Sequence, residues 1–262
     1  MLLTDKVVIV SGIGPGLGIE LALRAAEQGA KLAIAARTPE KLTKAVAQIQ
    51  ALDSTSEVIA VPTDITDKDQ CQALVAQVMA TYGQLDCLIN SAYNPGSFAL
   101  VEHADLQGWR QAMEVNLFGT IQLTQAAITP MKAQKRGSIV NINTMVTRKP
   151  MPTQAGYAAS KAALTSATQH LAAELGRYNI RVNGAYMGWM WGPPVEYYFK
   201  LESEKSGKSI QELKAQVEKN ISLGRIPTDA ECAKAAIFLA SDYASAISGA
   251  CLDVNGGEFL PH

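Results

Sequence analysis

Seven short runs of apolar, largely β-branched residues recur along this chain with amphipathic stretches between them. The runs are KVVIVS (6–11), KLAIAA (31–36), EVIAV (57–61), LDCLIN (85–90), GSIVNIN (137–143), IRVNGA (180–185) and ACLDV (250–254). A strand with one wet face alternates apolar and polar residues, whereas these runs are apolar almost from end to end. They fit strands covered on both faces, the situation of a parallel sheet between two helix layers. Helix starts fall between them: Thr38-Pro39 sets a capping hydroxyl before a first-turn proline, and Ser209 to Glu212 and Thr228 to Glu231 have capping-box spacing. The reading is an α/β fold with a doubly wound parallel sheet and helices on both faces. No repeat or Pro/Gly-rich linker divides the chain, so a single domain over residues 1–262 is expected.

Composition removes several classes of function. With 23 basic and 24 acidic residues the net charge is -1, which creates no field for nucleic acid or an anionic membrane. No apolar run has the length of a membrane span, and Met1 to Asp5 lacks the basic and apolar regions of a secretion signal. Cys71, Cys87, Cys232 and Cys251 lie far apart without metal-type spacing, and reduced thiols suit a cytoplasmic protein. His103, His170 and His262 are scattered, so no metal site is expected.

In open sheets of this kind ligands bind beyond the carboxyl ends of the strands. Directly after the first run comes SGIGPGLGIELALRAAEQG, in which Ser11, Gly12, Gly14, Gly16, Leu17 and Gly18 form a candidate phosphate turn. Glycines permit tight bending and close backbone approach, and the helix N-terminus behind them attracts a pyrophosphate. No Gly-Lys-Ser/Thr follows, which sets NTP hydrolysis aside. The second run ends in Ala35-Ala36-Arg37-Thr38, with no carboxylate to accept from an adenosine ribose. Arginine there can neutralise a 2′-phosphate, so NADP(H) is expected over NAD(H), although Pro15 stands where a second basic residue would help.

In QAGYAASKAAL (154–164) Tyr157 and Lys161 lie four apart, on one face of a helix. A cation beside a phenol lowers its pKa from the usual ~10 and makes it a better general acid. Taken together, the glycine turn, Asn90-Ser-Ala-Tyr93, Asn116, Tyr157-Ala-Ala-Ser-Lys161 and Asp253-Val-Asn-Gly-Gly257 resemble the short-chain dehydrogenase/reductase family, in its single-domain branch. The resemblance spans the chain and implies a Rossmann-type sheet of about seven strands, a nicotinamide cofactor and a homotetramer or homodimer. It implies that Tyr157 is the acid/base, that Lys161 lowers its pKa and holds the nicotinamide ribose, and that Asn116 bends its helix to support a water relay. Thr144 stands where the family usually has serine and keeps the hydroxyl. Asp64, with Ile65, resembles the adenine contact, Asn90 a residue stabilising the central sheet, and Ala92 and Gly188 backbone around the cofactor.

The chain also departs from the family. Tyr93 replaces a common glycine and is a candidate substrate wall with Met145, and Gly192 falls where a threonine usually contacts the nicotinamide carboxamide. An aromatic insertion holding Trp189, Met190, Trp191, Tyr197, Tyr198 and Phe199 is followed by a stripe of Ile210, Leu213 and Val217. A substrate lid around residues 187–224 and an apolar substrate follow as expectations. The expected function is an oxidoreductase interconverting a carbonyl and a secondary alcohol. An NAD-dependent alcohol dehydrogenase, a non-catalytic dinucleotide-sensing module, and an epimerase or dehydratase using the same tyrosine and lysine remain open.

Overall fold

All seven runs enter one sheet in the structure, a computed structural model that describes residues 1–52 and 57–260. His262 lies outside the described residues. In chain order the elements are β1 (Val7–Ser11), α1 (Leu17–Glu27), β2 (Lys31–Ala36), α2 (Pro39–Gln50), β3 (Val58–Pro62), α3 (Lys68–Tyr82), β4 (Cys87–Asn90), α4 (Leu106–Met113), α5 (Thr120–Gln134), β5 (Gly137–Thr144), α6 (Ala155–Leu175), β6 (Ile180–Met187), α7 (Pro193–Ser206), α8 (Ile210–Glu218), α9 (Asp229–Ala240) and β7 (Cys251–Val254). A π-helical turn, Glu114–Gly119, joins α4 to α5.

The strand order is β3-β2-β1-β4-β5-β6-β7, and every pairing is parallel. The chain leaves β1 toward one edge and, after β3, crosses back to β4 on the other side. Connections that diverge in this way open a crevice beyond the carboxyl ends of β1 and β4. There Ser11 pairs with Asn90, and Gly12 and Ser91 begin the two loops.

Coverage of both faces explains the unbroken apolar runs. Val8 and Val10 face a core with Leu21 and Ala25 of α1 and Ala233 and Ile237 of α9. Val7 and Ile9 face the opposite core, with Leu74 and Val78 of α3 and Leu123 of α5. Each fully buried aliphatic side chain is worth ~1.5–3 kcal/mol of transfer free energy, so neither layer is dispensable. A polar chain interrupts the second face: Asn90 Nδ2 donates to Thr124 Oγ1 at 3.1 Å and to Asn141 Oδ1 at 2.9 Å, and Asn141 Nδ2 donates to Thr168 Oγ1 at 2.9 Å. The linked amide donors tie β4, β5, α5 and α6 together, while Asn90 Oδ1 has no hydrogen-bond partner among the described residues.

Three local expectations change. Ser209 and Thr228 form complete capping boxes, but Thr38 caps α2 without a side-chain hydrogen bond, leaving Pro39 as the signal that operates there. β5 and β6 run on to Thr144 and Met187 because their mutual pairing continues that far. Leu213 and Val217 pack with Phe199, Ile221 and Ile226, while Ile210 is exposed.

Candidate active site

The carboxyl ends of β1, β2, β4 and β5 frame a cleft of about 520 Å³ that runs from Arg37 to Tyr157. Its floor is backbone. At Gly12, with φ +84°, a Cβ would stand 2.2 Å from the Ala92 nitrogen, so a side chain would force the loops after β1 and β4 apart. Gly14 has open space where its Cβ would be, and it faces the cleft. A backbone floor leading into the first turn of α1 suits a diphosphate, so the residues present fit a dinucleotide.

Three side chains meet at the other end. Thr144 ends β5, its Oγ1 accepts from the Val146 backbone at 3.4 Å, and its side chain lines the cleft with the Tyr157 phenol. Tyr157 and Lys161 lie one turn apart on α6, both lining the cleft. Lys161 is buried and donates from Nζ to the Ile142 carbonyl at 2.7 Å, while Asn143 Nδ2 donates to the Lys161 carbonyl at 3.0 Å. These bonds lock the start of α6 to the end of β5.

Asn116 lies within the π-helical turn, fully buried. Its Oδ1 accepts from the Asn94 backbone at 2.7 Å, and its Nδ2 donates to the Asn94 carbonyl and to Ser160 Oγ, each at 2.8 Å. It thus ties the loop carrying Tyr93 to the helix carrying Tyr157. The two tyrosine rings meet edge to face, with centroids 6.3 Å apart.

The electrostatics differ from the simple ammonium-beside-phenol expectation. Burial pushes the Tyr157 phenol above its ordinary range, Tyr93 adds in the same direction, and the bond to Thr144 opposes both. Burial also pulls the Lys161 ammonium down to about 7. Desolvation leads for both groups, and Lys161 Nζ turns to the Ile142 carbonyl. At neutral pH the phenol therefore holds its proton, as a general acid must before it acts.

The family model described as enoyl-(acyl carrier protein) reductase matches residues 12–258. Levodione reductase of Leifsonia aquatica is 31% identical over 256 residues, covering 97% of this chain and 94% of that protein. The chain belongs to the short-chain dehydrogenase/reductase family. Its architecture agrees: an actinorhodin polyketide ketoreductase with NADPH superposes with a TM-score of 0.88 at 27% identity, covering 97% of each chain. An NAD+-bound xylitol dehydrogenase superposes with a TM-score of 0.90 at 28% identity, covering 98% of this chain and 100% of that one. A nicotinamide dinucleotide thus occurs in both neighbours, in its two different forms.

Within this short-chain dehydrogenase/reductase, Gly12, Gly14, Leu17, Gly18, Arg37, Asp64, Ile65, Ala92, Tyr93, Thr144, Tyr157, Lys161, Gly188 and Met190 all line the cleft. Ser11, Gly16 and Asn90 stand behind its wall: Ser11 is buried in β1, Gly16 caps α1, and Asn90 belongs to the polar chain across the sheet. Asp64 also closes a turn, accepting from the Thr66 backbone and hydroxyl at 3.0 and 2.8 Å. Met145 is buried below the surface. Trp189 and Trp191 turn away and stack on Phe199, with ring centroids 5.8 Å apart in each pair. Lys41, Asp229 and Val195 are among the lining residues that escaped sequence reading. Lys41 lies four residues beyond Arg37 on α2, and its spacing was there to be read; Asp229 and Val195 arrive only through packing of α9 and α7.

Proposed function

We propose that this enzyme is an NADP(H)-preferring reductase that interconverts a carbonyl and a secondary alcohol on an apolar substrate. The observation that carries the reading is the meeting of Thr144, Tyr157 and buried Lys161 in one backbone-floored cleft. The glycine turn, Asp64, Ile65, Ala92, Lys161 and Gly188 are the groups to hold a nicotinamide dinucleotide. Bound there, that cofactor supplies or accepts the hydride.

The chain's own residues handle the proton and the fit. Tyr157, held protonated, donates from its phenol oxygen to the substrate oxygen in reduction. Thr144, its Oγ1 oriented by the Val146 N–H, hydrogen-bonds the same substrate oxygen, and Lys161 steadies the phenolate left behind. Thr144→Ser keeps this hydroxyl and lowers kcat/KM less than tenfold, while Thr144→Ala lowers it by ~10²–10³, the cost of removing one aligned donor. Equal, mild losses in steady-state kinetics of both variants would remove Thr144 from the mechanism.

Support for NADP(H) is the exposed pair Arg37, just before the cap of α2, and Lys41, in its first turn, both lining the cleft beyond β2. Arg37→Asp weakens NADPH ~10–100-fold, the worth of a charged hydrogen bond, and spares NADH. Titration of both cofactors against both proteins checks this, and an unchanged NADPH preference in the variant overturns it. Tyr93, Met190, Pro194 and Val195 supply the apolar wall, with α7 and α8 as the lid. Exposed Leu106, Phe118, Phe98 and Val101 support a homo-oligomer, dimer or tetramer, and four free thiols suit the cytoplasm.

The decisive assay follows nicotinamide absorbance with NADPH and NADH across a broad panel of ketones and alcohols. Net oxidation of NADPH by apolar ketones is the expected result. Binding without turnover on any substrate would point instead to a sensing module, and preference for small, strongly polar substrates would remove the apolar pocket.

A further inference from the structure

Asp229 opens α9 and is the one carboxylate in the cleft with no part in the chemistry above. The side chain is 6% exposed, and its Oδ2 has no hydrogen-bond partner among the described residues. That oxygen occupies the space where side chains would otherwise stand: a Cβ on Gly192 would fall 1.6 Å from it, and one on Gly16 would fall 3.2 Å away. Gly16 caps α1 and Gly192 caps α7, so the first turns of two helices converge on this carboxyl, whose Oδ2 is closed off between them and whose Oδ1 is the oxygen left for a ligand. The N-terminal end of α1 is where the dinucleotide's diphosphate is attracted.

An anion already seated there would repel a diphosphate, whereas a neutral acid offers it a hydrogen bond. The surroundings decide between these. Glu20 of α1, Glu196 of α7, Tyr93 in the loop after β4 and Cys232 one turn further along α9 are the titratable groups that interact electrostatically with Asp229. None of these groups is a cation, and Arg24, the nearest base to Glu20, is already paired with Glu20 and Glu27. Burial first, then Glu20 and Glu196, push the Asp229 carboxyl up to about 7.

We infer that Asp229 is a cofactor-binding residue that donates a hydrogen bond, as a neutral carboxylic acid, to a diphosphate oxygen of the dinucleotide, so that binding takes up a proton from solvent. The role belongs to this chain because Gly192 leaves room for it. A side chain at position 192 would exclude the Asp229 carboxyl from the cleft. The inference rests on the proposed dinucleotide function. Its sign follows from linkage. The proton-bearing form binds, so affinity is fully present below the carboxyl's value in the free protein and falls as pH rises through about 7, by up to tenfold per pH unit.

The test is titration of the wild-type protein and Asp229→Asn with NADH and NADPH between pH 6 and 9, together with calorimetry in buffers of different ionisation enthalpy. NADH is included because it lacks the 2′-phosphate, which titrates near pH ~6. Asparagine keeps the shape and a donor without the charge. At pH 8.5 the variant binds at least tenfold more tightly than wild type, and its affinity changes less with pH. At that pH wild type takes up more protons per dinucleotide than the variant. Lys161 leaves a residual slope common to both proteins, so the difference belongs to Asp229. Identical pH slopes and identical proton uptake overturn the inference, and Asp229→Ala binding like wild type at every pH does so too. Failure of wild type to bind either dinucleotide sinks the functional reading instead.

Discussion

Tyr157→Phe binds NADPH as tightly as the wild-type protein and loses ~10²–10⁴-fold in kcat, the usual cost of removing a general acid. The separation of the two effects follows from position. The phenol oxygen lies at the Thr144 end of the cleft, whereas the glycine floor, Asp64 and Arg37 lie toward the other end. Removing one oxygen leaves the ring against Tyr93 and the α6–β5 contacts through Lys161 and Asn143 intact. Burial holds the phenol protonated at neutral pH, the form that donates in the reductive direction. Fluorescence titration with NADPH and steady-state kinetics on one good ketone measure both quantities. A variant that keeps a tenth or more of wild-type turnover would remove Tyr157 as the proton donor.

What the sequence revealed, and what it hid, divides along the range of the interactions. The five inner strands were legible because burial on both faces writes itself into local composition, as in KVVIVS and KLAIAA, whereas the edge strands β3 and β7 are only partly buried. Gly12, Tyr157 and Lys161 were legible as residues of one cleft because each proposed role needs a particular residue type at a fixed local spacing. Trp189 and Trp191 misled. Aromatic residues after β6 suit a pocket and a packed lid base equally, and only the folding of α7, which brings Phe199 back against both rings, decides for packing outside the cleft. Asp229 was hidden for a related reason. Its local signal is the Thr228–Glu231 capping box, which accounts for a carboxylate in a first helical turn and masks its approach to Gly16 and Gly192. The phenol's pKa went astray because spacing puts a cation nearby without saying how dry the site is.

That dryness gives Lys161→Met its second large effect. The variant loses turnover, since nothing then steadies the phenolate, yet it is more stable than the wild-type protein at neutral pH. Lys161 falls from 10.5 to about 7 in the fold, through burial. Below pH 7 the lysine is charged in both folded and unfolded chains, and the full desolvation penalty, on the order of 2–4 kcal/mol, opposes folding. Between pH 7 and 10.5 the unfolded chain holds one proton more than the folded one, so wild-type stability rises with pH across that window. Above it the lysine is neutral in both states and the penalty is gone. Methionine keeps the apolar stem and carries no charge at any pH, at the cost of about 1 kcal/mol for the bond to the Ile142 carbonyl. Lys161→Met therefore raises Tm by several degrees at pH 6, and its advantage shrinks toward pH 10.5. Thermal melts of both proteins at pH 6, 8 and 10 check this. A variant less stable than wild type at pH 6 would show that the Ile142 bond outweighs burial, and Lys161 would then be a structural residue as well as the partner of Tyr157.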